Sequence, residues 1–199
     1  RTHRCVCPAR SPPPTATDSF PDYVVDETID TVDYAMGRSP SRHRSRTPNQ
    51  IKFTSFVNTV LTRAEITTPT LLVSLIYIAR ARPYLHIALE EWALERVFLG
   101  ALMTASKYLN DSTLKNVHWA LCTGVFGKRD VGRIEREFLS VLDWELSVTE
   151  AQVEEMWECL EWAVKMEEEE KRIAEEKEAL KRRQAAEAAS RSSKSQKLF

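Results

Sequence analysis

From about residue 50 onward, hydrophobic positions recur with the period of a helix, and no stretch alternates as a strand does. Ile51, Phe53, Phe56, Val57, Val60 and Leu61 recur at helical spacing and predict a first amphipathic helix. Thr68 followed by Pro69 reads as an N-cap and first-turn proline opening a second helix. Its residues Leu71 to Ala79 are apolar nearly all round, the mark of a helix buried at the centre of a bundle. Pro83 ends it. A third helix is expected from about Ala88 to Lys107, with Trp92, Leu94, Val97, Phe98, Ala101, Leu102 and Ala105 facing inward. Asn116 is placed to cap a short fourth helix through Val117, Trp119, Ala120 and Leu121. Asp130 is placed to cap a fifth carrying Ile134, Phe138, Val141 and Leu142. Thr149 with Gln152 forms a capping box for a sixth through Val153, Met156, Trp157 and Leu160. The expected fold is all-α, with five helices around a central one and a sixth appended.

The flanks read differently. Residues 1–48 are rich in Pro, Ser, Arg and Asp and are expected to be a disordered tail, because they bury too little apolar surface to offset chain entropy. Within them Phe20, Tyr23, Val24, Val25, Ile29, Val32 and Tyr34 alternate loosely with acids, and a short segment that folds on a partner is the second reading. Ser11, Ser39 and Thr47 each precede proline, as substrates of proline-directed kinases do. The folded domain is expected over 49–164, and a charged helical or disordered tail over 165–199. In that tail Glu167 with Lys171, Glu168 with Arg172, and Glu178 with Arg182 are spaced i to i+4. Met166, Ile173 and Leu180 recur every seven residues, but charged d positions favour a solvated, fraying helix over a coiled coil. Lys181-Arg182-Arg183 reads as helix surface, with nuclear import as the alternative.

Composition narrows the class. A chain of 199 residues holds one ordinary domain of roughly 100–150 residues plus tails. A net charge of −1 gives no global field for nucleic acid or membrane. An acidic block (Asp18 to Asp33) and a basic one (Arg38 to Arg46) follow each other instead. Cys5, Cys7, Cys122 and Cys159 form no disulfide framework, and His3 with Cys5 and Cys7 lacks the second pair that tetrahedral zinc needs. The apolar run at 71–79 falls far short of the ~20 residues of a membrane span, and no signal peptide is visible. Phosphate-binding loops, metalloprotease helices and nucleophile elbows are all missing. Adjacent acids such as Glu90 and Glu91, or Glu154 and Glu155, splay apart on a helix. The expectation is a reduced, cytoplasmic or nuclear protein that is not an enzyme, binds no cofactor, and uses no nucleic acid, membrane or small molecule as partner.

What remains is a docking surface. Lys107 closes the third helix in Ala105-Ser106-Lys107-Tyr108-Leu109-Asn110-Asp111, and Glu135 lies on the fifth in Arg133-Ile134-Glu135-Arg136. A lysine and a glutamate on neighbouring helix ends can bond a partner's backbone while apolar residues around them pack against it. Taken singly, Lys107 is a cation favourable to a helix C-terminus and Glu135 a solvated acid.

The helix order, with Tyr77-Ile78-Ala79-Arg80, Ala105-Ser106-Lys107-Tyr108, and Ile134-Glu135 followed by Phe138 to Trp144, resembles the cyclin box. Lys107 to Asp111, then Asn116 with Trp119-Ala120, then Glu135 with Phe138-Leu139, look like fungal cyclins of the PCL type. That resemblance covers about residues 50–150. It implies a regulatory subunit that binds and activates a cyclin-dependent protein kinase in nutrient, phosphate and morphogenesis signalling. It also implies that Lys107 and Glu135 bond near the start of the kinase C-helix, with Tyr108, Leu139 and Trp144 supplying apolar contact. Reversing the charge of Lys107 is then expected to abolish association while leaving stability nearly unchanged. Two departures stand out. The M-R-x-x-L-x-x-W signature of cell-cycle cyclins is replaced by Phe53 to Leu61, and the acid usual before Arg80 is Ala79, so an internal ion pair is lost or replaced. Beyond Val148 the residues given are expected to form a sixth helix and the charged tail rather than a second box. Other classes compatible with a helical box are a TFIIB-like transcription factor, which expects tandem repeats and a zinc ribbon, and a scaffold without a kinase.

Overall fold

Two helices with almost no polar face form the centre of the protein. A computed structural model describes residues 20–38, 47–87 and 91–196, and no strand occurs among them. Helix α3 (Thr68–Ala81) is buried at every position from Thr70 to Ile78, and α4 (Ala93–Leu109) at every position from Val97 to Ser106. A helix apolar all round has nowhere stable to sit except between others. Accordingly α4 packs on α3 and α6 (Lys128–Val141), and also touches α1 (Phe20–Ala35) and α2 (Pro48–Arg63). The short α5 (Asn116–Thr123) bridges α2 and α6. Helix α7 (Glu150–Gln196) begins within the first compact unit, which ends at Leu160, and supplies the described part of the second, from Glu161.

The α4–α6 contact depends on a missing side chain. A Cβ at Gly100 would lie 2.7 Å from Phe138 Cβ, well inside contact distance. With small Ala101 and Ala105 beside it, Gly100 lets Phe138 and Leu142 sink into the cluster of Tyr77, Ile78 and Val97. A second group, Phe53, Phe56 and Phe98, meets edge to face at 6.1 and 6.2 Å, and Phe56 continues to Phe126 and Trp92.

The N-terminal third departs from expectation. Residues 1–48 are not a tail throughout: α1 packs against α2, α3 and α4, with Phe20, Val24, Val25, Thr28, Ile29, Thr31 and Val32 buried. The rows 20/24/28/32 and 25/29 have helical spacing, but Thr28 and Thr31 hide it from an apolar count. Thr28 is tolerated inside because its hydroxyl donates to the Val24 carbonyl at 2.7 Å. Phe20 adds an edge-on contact to Trp157 of α7 at 5.7 Å. Residues 1–19 and 39–46, among them Ser11, Ser39 and the His3-Cys5-Cys7 group, lie outside the described residues.

Helix ends show the same mixture. The Thr149–Gln152 box forms as expected, with bonds of 3.0 and 3.4 Å. A second box opens α2, where the Thr47 hydroxyl accepts from Gln50 N–H and the Gln50 side chain from Thr47 N–H. Helix α4 starts at Ala93 rather than near residue 88. Trp92 precedes it with a left-handed backbone (φ 62°) that turns its indole outward rather than into the core. Ile51, expected inside, is exposed. Neither Asn116 nor Asp130 caps a helix, since those positions fall to Lys115 and Gly127.

In the second unit the charged tail is helical to Gln196. Arg182 pairs with Glu178 at 2.5 Å as its spacing predicts, whereas Arg172 takes Glu169, three residues back, rather than Glu168. Met166, Ile173 and Leu180 are exposed.

The burial of α1 has a direct consequence for stability. Ile29→Ala should cost about 2–5 kcal/mol in urea unfolding, as truncation of a core isoleucine does. A change within ~0.5 kcal/mol, the usual surface value, would return this segment to the tail.

Candidate partner-docking surface

Helix α4 stops where Asn110 leaves the helical region (φ −113°, ψ 132°). Its amide donates to the Ser106 carbonyl at 3.1 Å and the Thr70 hydroxyl at 3.4 Å, fixing the stop against α3. Lys107 therefore sits in the last turn of α4, where a cation is favoured. On α6, Glu135 lies one turn before Phe138, the residue seated on Gly100. That register carries the carboxylate to the lysine: Lys107 Nζ is 2.6 Å from Glu135 Oε1.

The two residues read from sequence as the partner's contacts are thus brought together, but they bond each other. A third side chain joins them. Asn116, at the first position of α5, accepts from Lys107 Nζ at 2.9 Å and donates to Glu135 Oε2 at 3.1 Å. Sequence reasoning missed this role because a polar residue opening a helix looks like a cap, and nothing local announces a bond to residues 9 and 19 positions away. The cluster is only partly dehydrated, with side-chain exposures of 30% for Lys107 and 17% for Glu135.

The other expected residues are all at least partly exposed. Tyr108 and Leu109 are exposed beside Lys107, and Leu139, one turn beyond Glu135, is half-buried. Trp144 is 66% exposed. Asp143 and Trp144 both take left-handed backbones (φ 49° and 60°), and the Trp144 N–H reaches back to the Leu139 carbonyl at 3.0 Å, closing α6. Such conformations cost roughly 1–2 kcal/mol per non-glycine residue and need support from around them.

That support comes from α3. The Tyr77 hydroxyl donates to the Leu146 carbonyl at 2.9 Å, and Arg80 donates to the carbonyls of Glu145 at 2.5 Å and Ser147 at 2.9 Å. Burial, then the neighbouring Tyr108, pushes the Tyr77 pKa up to about 12 against the pull of Arg80, so the phenol keeps its proton at neutral pH. Arg80, with Ala79 rather than an acid before it, bonds two backbone carbonyls of this segment, and these bonds stand where the family's usual internal ion pair would be.

Little else on the described surface suggests chemistry. Burial pushes the Cys122 thiol up, with Arg63 opposing, which disfavours a reactive thiolate. No three His, Cys, Asp or Glu side chains converge on a metal position among the described residues. No helix among them is long and apolar enough to cross a membrane.

The family model of the cyclin N-terminal domain matches residues 26–147, and the chain belongs to that family. The match begins inside α1 and ends at the carbonyl held by Arg80, so the matched stretch includes most of the helix that the tail reading left out. Similar proteins from Saccharomyces cerevisiae are PHO85 cyclin-2, 37% identical over 99 residues, and PHO85 cyclin-9, 34% identical over 97. These alignments cover 48% and 47% of this chain and 32% of each relative. PHO85 cyclin-1 is 29% identical over 141 residues, 66% of this chain and 49% of the relative. The chain thus spans about a third to a half of the length of these relatives, and the PCL-type resemblance agrees with them.

Because Lys107 ties three helices together, its replacement should be felt in the free protein. Lys107→Met should cost about 1–3 kcal/mol in urea unfolding by leaving Glu135 short of a donor, and Lys107→Glu should cost more. This differs from the expectation of unchanged stability under charge reversal. Glu137→Lys, which breaks only the exposed bridge to Arg96, should cost no more than ~1 kcal/mol. Equal losses at Lys107 and Glu137 would contradict the cluster.

Proposed function

We propose that this chain is the regulatory subunit of a cyclin-dependent protein kinase, and that the surface around Lys107 and Glu135 grips the kinase C-helix. The observation that carries the proposal is a partly exposed lysine–glutamate pair, with the exposed Tyr108 and Leu109 following the lysine in the chain and an exposed Trp144 in the segment that closes α6. Lys107 has three N–H donors and spends two within the cluster; each Glu135 oxygen has accepted one bond and can accept another. One donor and two acceptor sites are left for a partner's backbone, with aromatic surface beside them.

A protein kinase is competent only when its C-helix glutamate pairs with its strand-three lysine. A rigid surface that binds the inward position of that helix better than the outward one shifts the population toward the competent state. Moving it from 1:99 to 99:1 needs about 5.5 kcal/mol of differential binding. Tryptophan and charged anchors at a well-packed interface centre can supply that. Phosphoryl transfer then belongs to the kinase, and this chain contributes no catalytic group or cofactor. The relatives are named as PHO85 cyclins, so a kinase of the PHO85 kind is the partner we put first. The complex would work in the cytoplasm or nucleus.

The test is reconstitution of the chain with a PHO85-type kinase and a protein substrate. Activity should rise saturably with added chain. Trp144→Ala should weaken binding at least ~30-fold, the loss typical of a hot-spot tryptophan, without lowering Tm, since its side chain is two-thirds exposed. A kinase indifferent to the chain, or unaffected by the loss of Trp144, would overturn the proposal.

A further inference from the structure

We infer that Asn116 is the positioning residue of the docking pair, fixing Lys107 and Glu135 in the arrangement that a partner reads. The inference rests on the kinase-binding reading above, and concerns a residue for which that reading has no role.

Its side chain has three possible duties, and the geometry assigns one. It does not cap α5, since Lys115 holds the cap position and Asn116 is already the first helical residue. It does not face open solvent, because it is half-buried. It bonds Lys107 through Oδ1 at 2.9 Å and Glu135 through Nδ2 at 3.1 Å. Its amide orientation is forced. An ammonium only donates and a carboxylate only accepts, so swapping O and N would set like against like at both bonds.

A primary amide suits this place because it presents an acceptor and a donor side by side. Aspartate would offer two acceptors, and alanine neither. Space is also provided from the α6 side: a Cβ at Gly132 would lie 3.3 Å from the Asn116 amide nitrogen, tight enough to press on it. The effect on the pair is orientational. With Lys107 alone, Glu135 is held by one oxygen and its carboxylate can swivel. With Asn116 on the second oxygen, both oxygens are engaged from different helices and the carboxylate plane is set. Lys107, a flexible stem with three rotatable donors, is likewise held by two acceptors rather than one. A surface prepared in this way loses less freedom when it binds.

The deciding variant is Asn116→Asp in the full chain. If position 116 matters only as a helix start, aspartate is equal or better there, since acids are favoured in a first turn. If it positions the pair, aspartate confronts Glu135 with a like charge and the carboxylate turns away. Kinase binding should then fall at least ~10-fold for Asn116→Asp and for Asn116→Ala, an effect of about 1.4 kcal/mol. A readout without kinase accompanies this: the ammonium ¹H–¹⁵N signal of Lys107, sharp while the group is held, should broaden or vanish in Asn116→Ala. If the wild-type chain binds kinase and Asn116→Asp binds equally well, the positioning role is overturned while the docking proposal stands. If the wild-type chain binds no kinase, the docking proposal falls, and an unchanged Lys107 signal in Asn116→Ala overturns the positioning role independently.

Discussion

Helix α6 can lie against α4 at this depth only because position 100 carries no side chain. Phe138 occupies the space and anchors α6 in the cluster that also holds Tyr77, Ala101, Ala105 and Leu142. The register follows from that single contact. Counting one turn back along α6 from Phe138 reaches Glu135, and two turns forward along α4 from Gly100 reaches Lys107. Their meeting at 2.6 Å is therefore a consequence of core packing rather than a separate surface feature. Protein interiors are close-packed, so a methyl group added at position 100 would be transmitted to the surface pair.

The other half of the surface is fixed from α3. Tyr77 and Arg80 hold three successive carbonyls, from Glu145 to Ser147, and so stabilise the two left-handed residues that point Trp144 outward. The proposed docking residues are carried by helices and by a tied-down loop, which places them more precisely than a free loop would. A subunit whose proposed task is to prefer one position of a partner's helix needs this stiffness. A surface that adapted to both positions equally would shift no population.

How much of this was legible depends on how local each cause is. The apolar run at 71–79 and the helical period at 53–61 are strong local signals, and both became helices where expected. The Thr149–Gln152 box was equally readable because its bonds span three residues. The candidate docking residues came from motif resemblance, which implied that Lys107, Glu135, Tyr108, Leu139 and Trp144 serve one partner without saying how they touch. Helix α1 was hidden because two of its buried positions are threonines and acids stand between its valines. Trp92 was misplaced because an aromatic residue at core spacing gives no sign of a left-handed backbone. The bond from Lys107 to Glu135 joins residues 28 apart, and that of Asn116 to Glu135 residues 19 apart. Pairings of that range follow from helix packing and have no signature along the chain.

The central claim is that one surface, built from the end of α4, the middle of α6 and the segment after it, receives the kinase. Hydrogen–deuterium exchange of the full chain, alone and with a saturating PHO85-type kinase, tests this most directly. The account predicts added protection in peptides covering residues 106–116 and 135–147, with little change over 20–38. Protection confined to α1 and α2, with residues 135–147 exchanging as in the free chain, would contradict it.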